Sequence, residues 1–439
     1  MWLGSPSTSL GATCVTANRE SSQREETLMK IWSSPSRSAL KLAALATTAS
    51  LVLAACGGGS DDEASGKADA DGIITVKLGV VGPKTGPASL YYEYMAQDFE
   101  AFADDFEEEY GVRFDVVSED DQASPEETAR AVSKLINEEG VHAILGPPLS
   151  GNALQVADTV QRSGVPWLLA GPNADEIINY ETQPNWAFQT NFTNQQIMSI
   201  LGERLWAEDA KVGIVFSGDG FGQSNLDQLK LWAEANGHEL AVEETIQPGA
   251  ADANAIVKRL EDAGVESVFM GITQGADTAT VTRSMEQAGY APATVMTTGT
   301  ILTNYKDVAE PSQWENIQIV DPRNFLDGGD KWVLDQVQEA TGDAPAIPTN
   351  NISTYAMLDI YAQAVKEVGD ASDKEAVRQA MEDIQTVHIG PDLTIDAPFS
   401  ADDHKLYTDD PATWFTYGFD EDFNLVNLGT AAECLESGC

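Results

Sequence analysis

Histidine and cysteine are scarce in this chain, with four of each among 439 residues. His142, His238, His388 and His404 are scattered, and no His or Cys pair has the spacing of a metal site, so no metal is expected. Positive charge is also scarce: 25 Lys and Arg stand against 70 Asp and Glu, a formal net charge of -45. Such a field excludes nucleic acid as a partner and disfavours a bare anionic membrane. Catalytic and nucleotide signatures are missing too. Gly218-x-Gly220-x-Gly222 falls short of the dinucleotide fingerprint, and no Gly-Lys-Ser/Thr phosphate loop is present. There is no G-x-S-x-G elbow and no Cys nucleophile away from the termini. Asp420-x-Asp422-x-Asn424 fails as a calcium loop, because Leu425 stands where Gly is required and Ala431 where the final Glu should be. The expectation is a protein that is not an enzyme, with no catalytic residue and no cofactor.

What is present begins with an export signal. Residues 1–28 are Ser/Thr-rich without apolar periodicity and read as an upstream start, with translation beginning at Met29. Lys30, Arg37 and Lys41 form a positive region, and Leu42 to Leu53 an apolar one, too short and too rich in Ala and Thr for a stable membrane span. Residues 29–55 are thus a signal peptide. It ends Leu53-Ala54-Ala55-Cys56, which resembles a bacterial lipobox and implies lipidation of Cys56. Residues 56–72 are Gly- and acid-rich with nothing to pack, a tether between anchor and domain. The first 55 residues hold five basic and three acidic residues; the remainder has 20 against 67, a formal charge of -47. The acidity belongs to the exported part.

The folded part alternates strand and helix at roughly thirty residues per repeat, the mark of a doubly wound α/β lobe. Its organising stretch is 141–174. An apolar strand (141–145) runs into Gly-Pro-Pro-Leu-Ser-Gly-Asn, a helix (153–161) follows, and a second strand (165–170) runs into Gly-Pro-Asn. Parallel strands deliver both loops to one sheet edge, where open α/β sheets bind ligands. Ser150 and Asn173 are the small polar side chains there. A strand at 73–81, a helix at 90–110 and a capping box at Ser124-Pro-Glu-Glu127 precede this unit. The pattern restarts at 211–216 and makes a second lobe, with 188–193 as a candidate hinge strand. The expected division is 73–190 with 322–410 for lobe 1, 191–321 with 411–430 for lobe 2, and a tail at 431–439. Cys434 and Cys439, five apart in an exported chain, are expected to form a local disulfide.

The stretches VKLGVVGPKTGPASLYY, SEDDQASPEETARAV, AILGPPLSGNA, VPWLLAGPNADEI, FQTNFTNQQ, KVGIVFSGDGFGQ and TYAMLDIYAQAV, in this order over about residues 73–430, resemble the leucine/isoleucine/valine-binding family of substrate-binding proteins. The resemblance implies a type I periplasmic-binding-protein fold, with two doubly wound parallel-sheet lobes joined by a three-segment hinge that closes on ligand. It implies a monomer that delivers a small-molecule ligand to an ABC permease and ATPase; a lipoprotein that reports to a signalling partner is the alternative. By resemblance, Tyr91 packs on the ligand, Ser150 binds its carboxylate with backbone groups around Gly151 and Gly171, Asn152 is a further ligand-binding residue, and Gly171 and Asn173 form the adjoining loop. Phe221 and Gln274 match two aromatic positions of the second lobe. The family's amino-acid binders also set an acidic side chain against the ligand ammonium. The matching segment here is 297–300, including Thr298, and carries no acid. This departure points to a branched-chain amino acid with an acid supplied by Asp120, Asp121 or Asp277, or to an ammonium-free amide or carboxylate.

Overall fold

The computed structural model describes residues 66–178, 183–297 and 301–439, with 301–304 described as backbone only. Cys56, the signal peptide and Thr298 lie outside the described residues.

Strand β1 (Ile74–Gly82) is followed by helix α1 (Leu90–Tyr110), β2 (Val112–Asp120), α2 (Pro125–Lys134), β3 (Ala143–Leu145), α3 (Ser150–Ser163), β4 (Trp167–Leu169) and β5 (Ala187–Gln189). The strands form one parallel sheet in the order β2-β1-β3-β4-β5. Residues of β1, β3 and β4 are buried on both faces, which is why they read as continuous apolar runs rather than alternating ones. The apolar stripe of α1 buries Tyr91, Met95, Phe99, Phe102 and Phe106, and Gly111 ends the helix at φ +67°. Ser124 caps α2 by accepting from the Glu127 N–H.

The chain then crosses to the second lobe through α4 (Asn194–Leu205), whose Thr193–Gln196 capping box fixes the entry. Units β6 (Val212–Ser217), α5 (Gly220–Asn236), β7 (Val242–Ile246), α6 (Asn254–Ala263), β8 (Ser267–Gly271), α7 (Gly275–Ala288), β9 (Ala293–Thr297), α8 (Ile301–Val308) and β10 (Ile317–Asp321) follow. After β10 the chain returns to lobe 1 with α9 (Gly328–Thr341), α10 (Pro348–Val368), α11 (Lys374–Asp383) and the hairpin β11 (Thr386–Ile389) and β12 (Leu393–Asp396). It crosses a third time to β13 (Phe415–Phe419), β14 (Leu425–Thr430) and α12 (Ala431–Ser437). The second sheet has the order β14-β13-β10-β9-β8-β6-β7, parallel except where β13 and β14 join antiparallel to β10. Each lobe has its own apolar core, one around Val81, Ile144 and Trp167, the other around Ile214, Phe269 and Trp414. The fold is α/β with two doubly wound lobes.

Several details differ from the sequence expectation. The fold begins before residue 73: Lys67 pairs with Asp370, Ala68 bridges Ile74, and the Ala371 N–H donates to the Gly66 carbonyl at 2.6 Å. The unit β7–α6 and the hairpin β11–β12 are additions to the elements read from the sequence. Helix α3 starts at Ser150, three residues earlier than its apolar stripe suggests. The C-terminal tail is helix α12, joined by a Cys434–Cys439 disulfide with Cα atoms 4.9 Å apart.

Candidate functional site

The C-terminal ends of the strands in both lobes face one another across a cavity of about 490 Å³, part of it open to solvent. Lobe 1 contributes Tyr91 from the first turn of α1, Ser150 from the start of α3, and Gly171 and Asn173 from the loop after β4. Lobe 2 contributes Phe221, Ile272, Thr273 and Thr297. The floor is Asn191 and Phe192 at the first crossing, and the first turn of α10 adds Ile347, Thr349 and Asn350.

Hydrogen bonds hold these groups in place. The Asn173 N–H donates to Ser150 Oγ at 3.1 Å, which leaves the serine hydroxyl proton to point elsewhere. Asn173 Nδ2 donates to the Phe192 carbonyl at 2.6 Å, and Asn191 Nδ2 donates to the Gly171 carbonyl at 2.9 Å. Gly171 cannot carry a side chain, since a Cβ would lie 2.9 Å from Pro148 backbone atoms and from the Tyr94 hydroxyl. Across the cleft, the Tyr91 hydroxyl donates to the Thr273 carbonyl at 3.0 Å. Thr273 is itself held by Asp219, which accepts from its hydroxyl at 2.5 Å and caps α5 through the Gly222 N–H. Beside this bond Gly151 and Gly220 bring the backbones of the two lobes together.

Of the residues singled out from sequence, Tyr91, Ser150, Gly171, Asn173 and Phe221 line the cavity. Gly151 is outside the lining and packs against Gly220. Asn152 does not line it: as the third residue of α3 it faces the end of β2, where its Nδ2 donates to Asp121 at 3.0 Å. Gln274 lies outside the lining and precedes α7 at its N-cap.

The candidate acids are engaged elsewhere. Asp121 accepts from Asn152, the Thr128 hydroxyl and the Ala123 N–H, and burial pushes its carboxyl up. Asp277, also raised by burial, accepts from the Gly249 N–H at 2.8 Å. Asp120 accepts from the Lys84 N–H and the Thr85 hydroxyl. Among the described residues, no Asp, Glu, Lys, Arg or His side chain lines the cavity. The arrangement suits a small molecule met by neutral donors and acceptors; it has no nucleophile–base pair.

Sequence reasoning missed Asn191, Phe192, Thr349 and Asn350. Asn191 lay inside the stretch FQTNFTNQQ, and Pro348 at the first position of α10 marks the helix start that would have located Thr349 and Asn350.

A profile described as Periplasmic binding protein matches residues 75–413, most of the described chain. The chain belongs to the periplasmic binding protein family. It is 23% identical over 328 residues to the Leu/Ile/Val-binding protein BraC3 of Rhizobium johnstonii, covering 70% of this chain and 83% of that one. A type 1 periplasmic binding protein from Bordetella pertussis superposes with a TM-score of 0.70 at 20% identity, covering 81% of this chain and all of that one. A solute-binding protein of an ABC transporter from R. palustris, solved with 4-hydroxybenzoate, superposes with a TM-score of 0.67 at 18% identity, over 81% and 96% of the two chains. The family is one of extracytoplasmic binding proteins for transport. Among the described residues no helix is long and apolar enough to cross a membrane, and no group of three or more His, Cys, Asp or Glu is placed to hold a metal ion.

Proposed function

We propose that this chain is an extracytoplasmic solute-binding lipoprotein, anchored through Cys56, that closes its two lobes on a small polar solute and delivers it to an ABC permease and ATPase. The observation that carries the reading is the cavity shared by both lobes, walled by neutral hydrogen-bonding groups and bridged by Tyr91 and Thr273. A solute that gives up water there needs donors and acceptors in return. Ser150 offers a hydroxyl and the start of α3 offers N–H groups that have no acceptor within the helix, a suitable seat for a carboxylate or an amide oxygen. The Gly171 and Asn173 loop serves the neighbouring polar group, and Tyr91 and Phe221 cover the apolar body. Thr273 and Thr297 complete the second-lobe side. Branched-chain amino acids and related small amides or carboxylates are the solute class.

A thermal-shift screen of such solutes, followed by calorimetry, tests the reading. A solute at a hundred times its dissociation constant adds about 2.7 kcal/mol of stability. Ser150→Ala and Asn173→Ala should each weaken its binding. Unchanged affinity in both would show that this cavity is not the solute site.

A further inference from the structure

Arg323 is fully buried, two residues beyond Asp321 where the chain leaves β10 for lobe 1. Its Nη1 donates to both oxygens of Asp321, at 3.0 and 3.2 Å. Its Nη2 donates to Asn191 Oδ1 at 2.6 Å and to Ser353 Oγ at 2.5 Å. The guanidinium also stands 5.6 Å from the Phe192 ring centre and 5.1 Å from that of Tyr407. Asn191 and Phe192 belong to the first crossing between lobes, Arg323 to the second, and Tyr407 to the third. Ser353 sits on α10, whose first turn lines the cavity, and is tied to Thr190 by bonds of 2.7 and 2.9 Å in the two directions. One side chain therefore touches all three crossings and the floor of the cleft.

The chemistry of that contact has one polarity. Arginine only donates, so the side-chain oxygen of Asn191 must face it. The Asn191 amide N–H₂ then has to point the other way, and it meets the Gly171 carbonyl at 2.9 Å. The Phe192 N–H also donates to Asn191 Oδ1, at 3.1 Å, so the guanidinium adds a shorter, charge-assisted bond to an orientation that the backbone also favours.

We propose that Arg323 is the positioning residue of the cleft: its forked guanidinium fixes the Asn191 amide against the Gly171 carbonyl and pins the three crossings with the lobes closed. The proposal rests on reading the cleft as the solute site, and it adds a residue that touches no solute yet helps to hold the floor in place.

The test uses the full chain with ¹⁵N-labelled asparagine side chains. The Asn191 N–H₂ pair is identified by its loss in Asn191→Leu. In the wild type this pair should exchange slowly with solvent. Arg323→Lys keeps a cation against Asp321 and should fold, but an ammonium is a single point and cannot span Asn191 and Ser353 as the fork does. Exchange at Asn191 should accelerate at least tenfold, and small-angle scattering without solute should show a larger radius of gyration than the wild type. If loss of the fork blocks folding, the paired variant Asp321→Leu with Arg323→Met removes both buried charges together and carries the same expectations. Wild-type protection of the amide in any folded Arg323 variant overturns the positioning role. An unchanged radius of gyration overturns the pinning. Neither readout needs a solute, so failure here is distinct from failure of the solute-binding reading, which falls on the Ser150 and Asn173 variants.

Discussion

Closure of the lobes depends on two glycines that meet backbone to backbone, and their environments predict unequal sensitivity. A Cβ built on Gly220 would lie 2.7 Å from the Gly151 nitrogen and 2.8 Å from its Cα. Carbon contacts settle at about 3.5–4.0 Å, so Gly220→Ala forces the lobes apart by roughly 0.7 Å or more at this point. The Tyr91–Thr273 bond spans the same cleft at 3.0 Å, and that displacement takes it past hydrogen-bonding range. Losing the bond costs about 0.5–1.5 kcal/mol, and imperfect closure weakens every other contact that depends on both lobes. A ten- to hundredfold loss of affinity, about 1.4–2.8 kcal/mol, is the expected size. Gly151→Ala should be far milder, because its Cβ would meet Gly220 at 3.7 and 3.9 Å, ordinary contact distances. Neither glycine is in the left-handed region, so backbone strain does not confuse the comparison. Calorimetry with the screened solute measures the affinities, and thermal melts check that both variants are as stable as the wild type without solute. Equal affinity for Gly220→Ala and wild type, or a larger loss for Gly151→Ala than for Gly220→Ala, would refute the closed geometry as the binding form.

Other consequences can be measured separately. Membrane attachment should depend on Cys56: an acyl chain contributes about 0.8 kcal/mol per buried CH₂, so Cys56→Ser should move the protein to the soluble fraction, and a variant that stays membrane-bound with an unchanged N-terminus would contradict the lipid anchor. Burial pushes the carboxyls of Asp175, Asp330 and Asp359 up to about 6, above the unfolded value of about 3.9. The folded state then holds more protons between about pH 4 and 6, so these groups favour folding most at the acid end and lose that contribution as pH rises through the window. At constant ionic strength the melting temperature should be higher at pH 5 than at pH 7.5; the reverse order would mean that other titrations dominate. A buried ammonium without an acidic partner costs several kcal/mol, so 4-methylpentanoate should bind at least tenfold more tightly than leucine. Tighter binding of leucine that survives Asp120→Asn, Asp121→Asn and Asp277→Asn would defeat the charge argument.

The two lobes were legible because parallel strands buried on both faces leave apolar runs, and their helices leave stripes and glycine stops. What escaped reading follows from the same physics. Strand β7, VEETI, lies at a sheet edge and alternates exposed Glu243 and Thr245 with half-buried Val242 and Glu244, so it carries no apolar run. Hairpin β11–β12 pairs outside both sheets, and β12 buries nothing fully. In the cleft, Ser150 and Asn173 stand out because each follows a strand by a few residues. Asn191 follows β5 by two residues but lies in the stretch that reads as a hinge strand, and Asn350 follows no strand; their place on the floor comes from where three chain crossings and the start of α10 converge. Arg323 is the extreme case. In sequence it sits in Asp-Pro-Arg-Asn, which reads as a solvated turn, and arginine is almost never fully buried unless paired. Its partners Asn191 and Ser353 are 132 and 30 residues away, so no local pattern could announce them. Local chemistry marked the walls of the cleft, while the groups that orient its floor are set by tertiary contacts alone. Substitutions at the floor should therefore alter closure and selectivity through their buried partners, whereas those at Ser150 act on the solute directly.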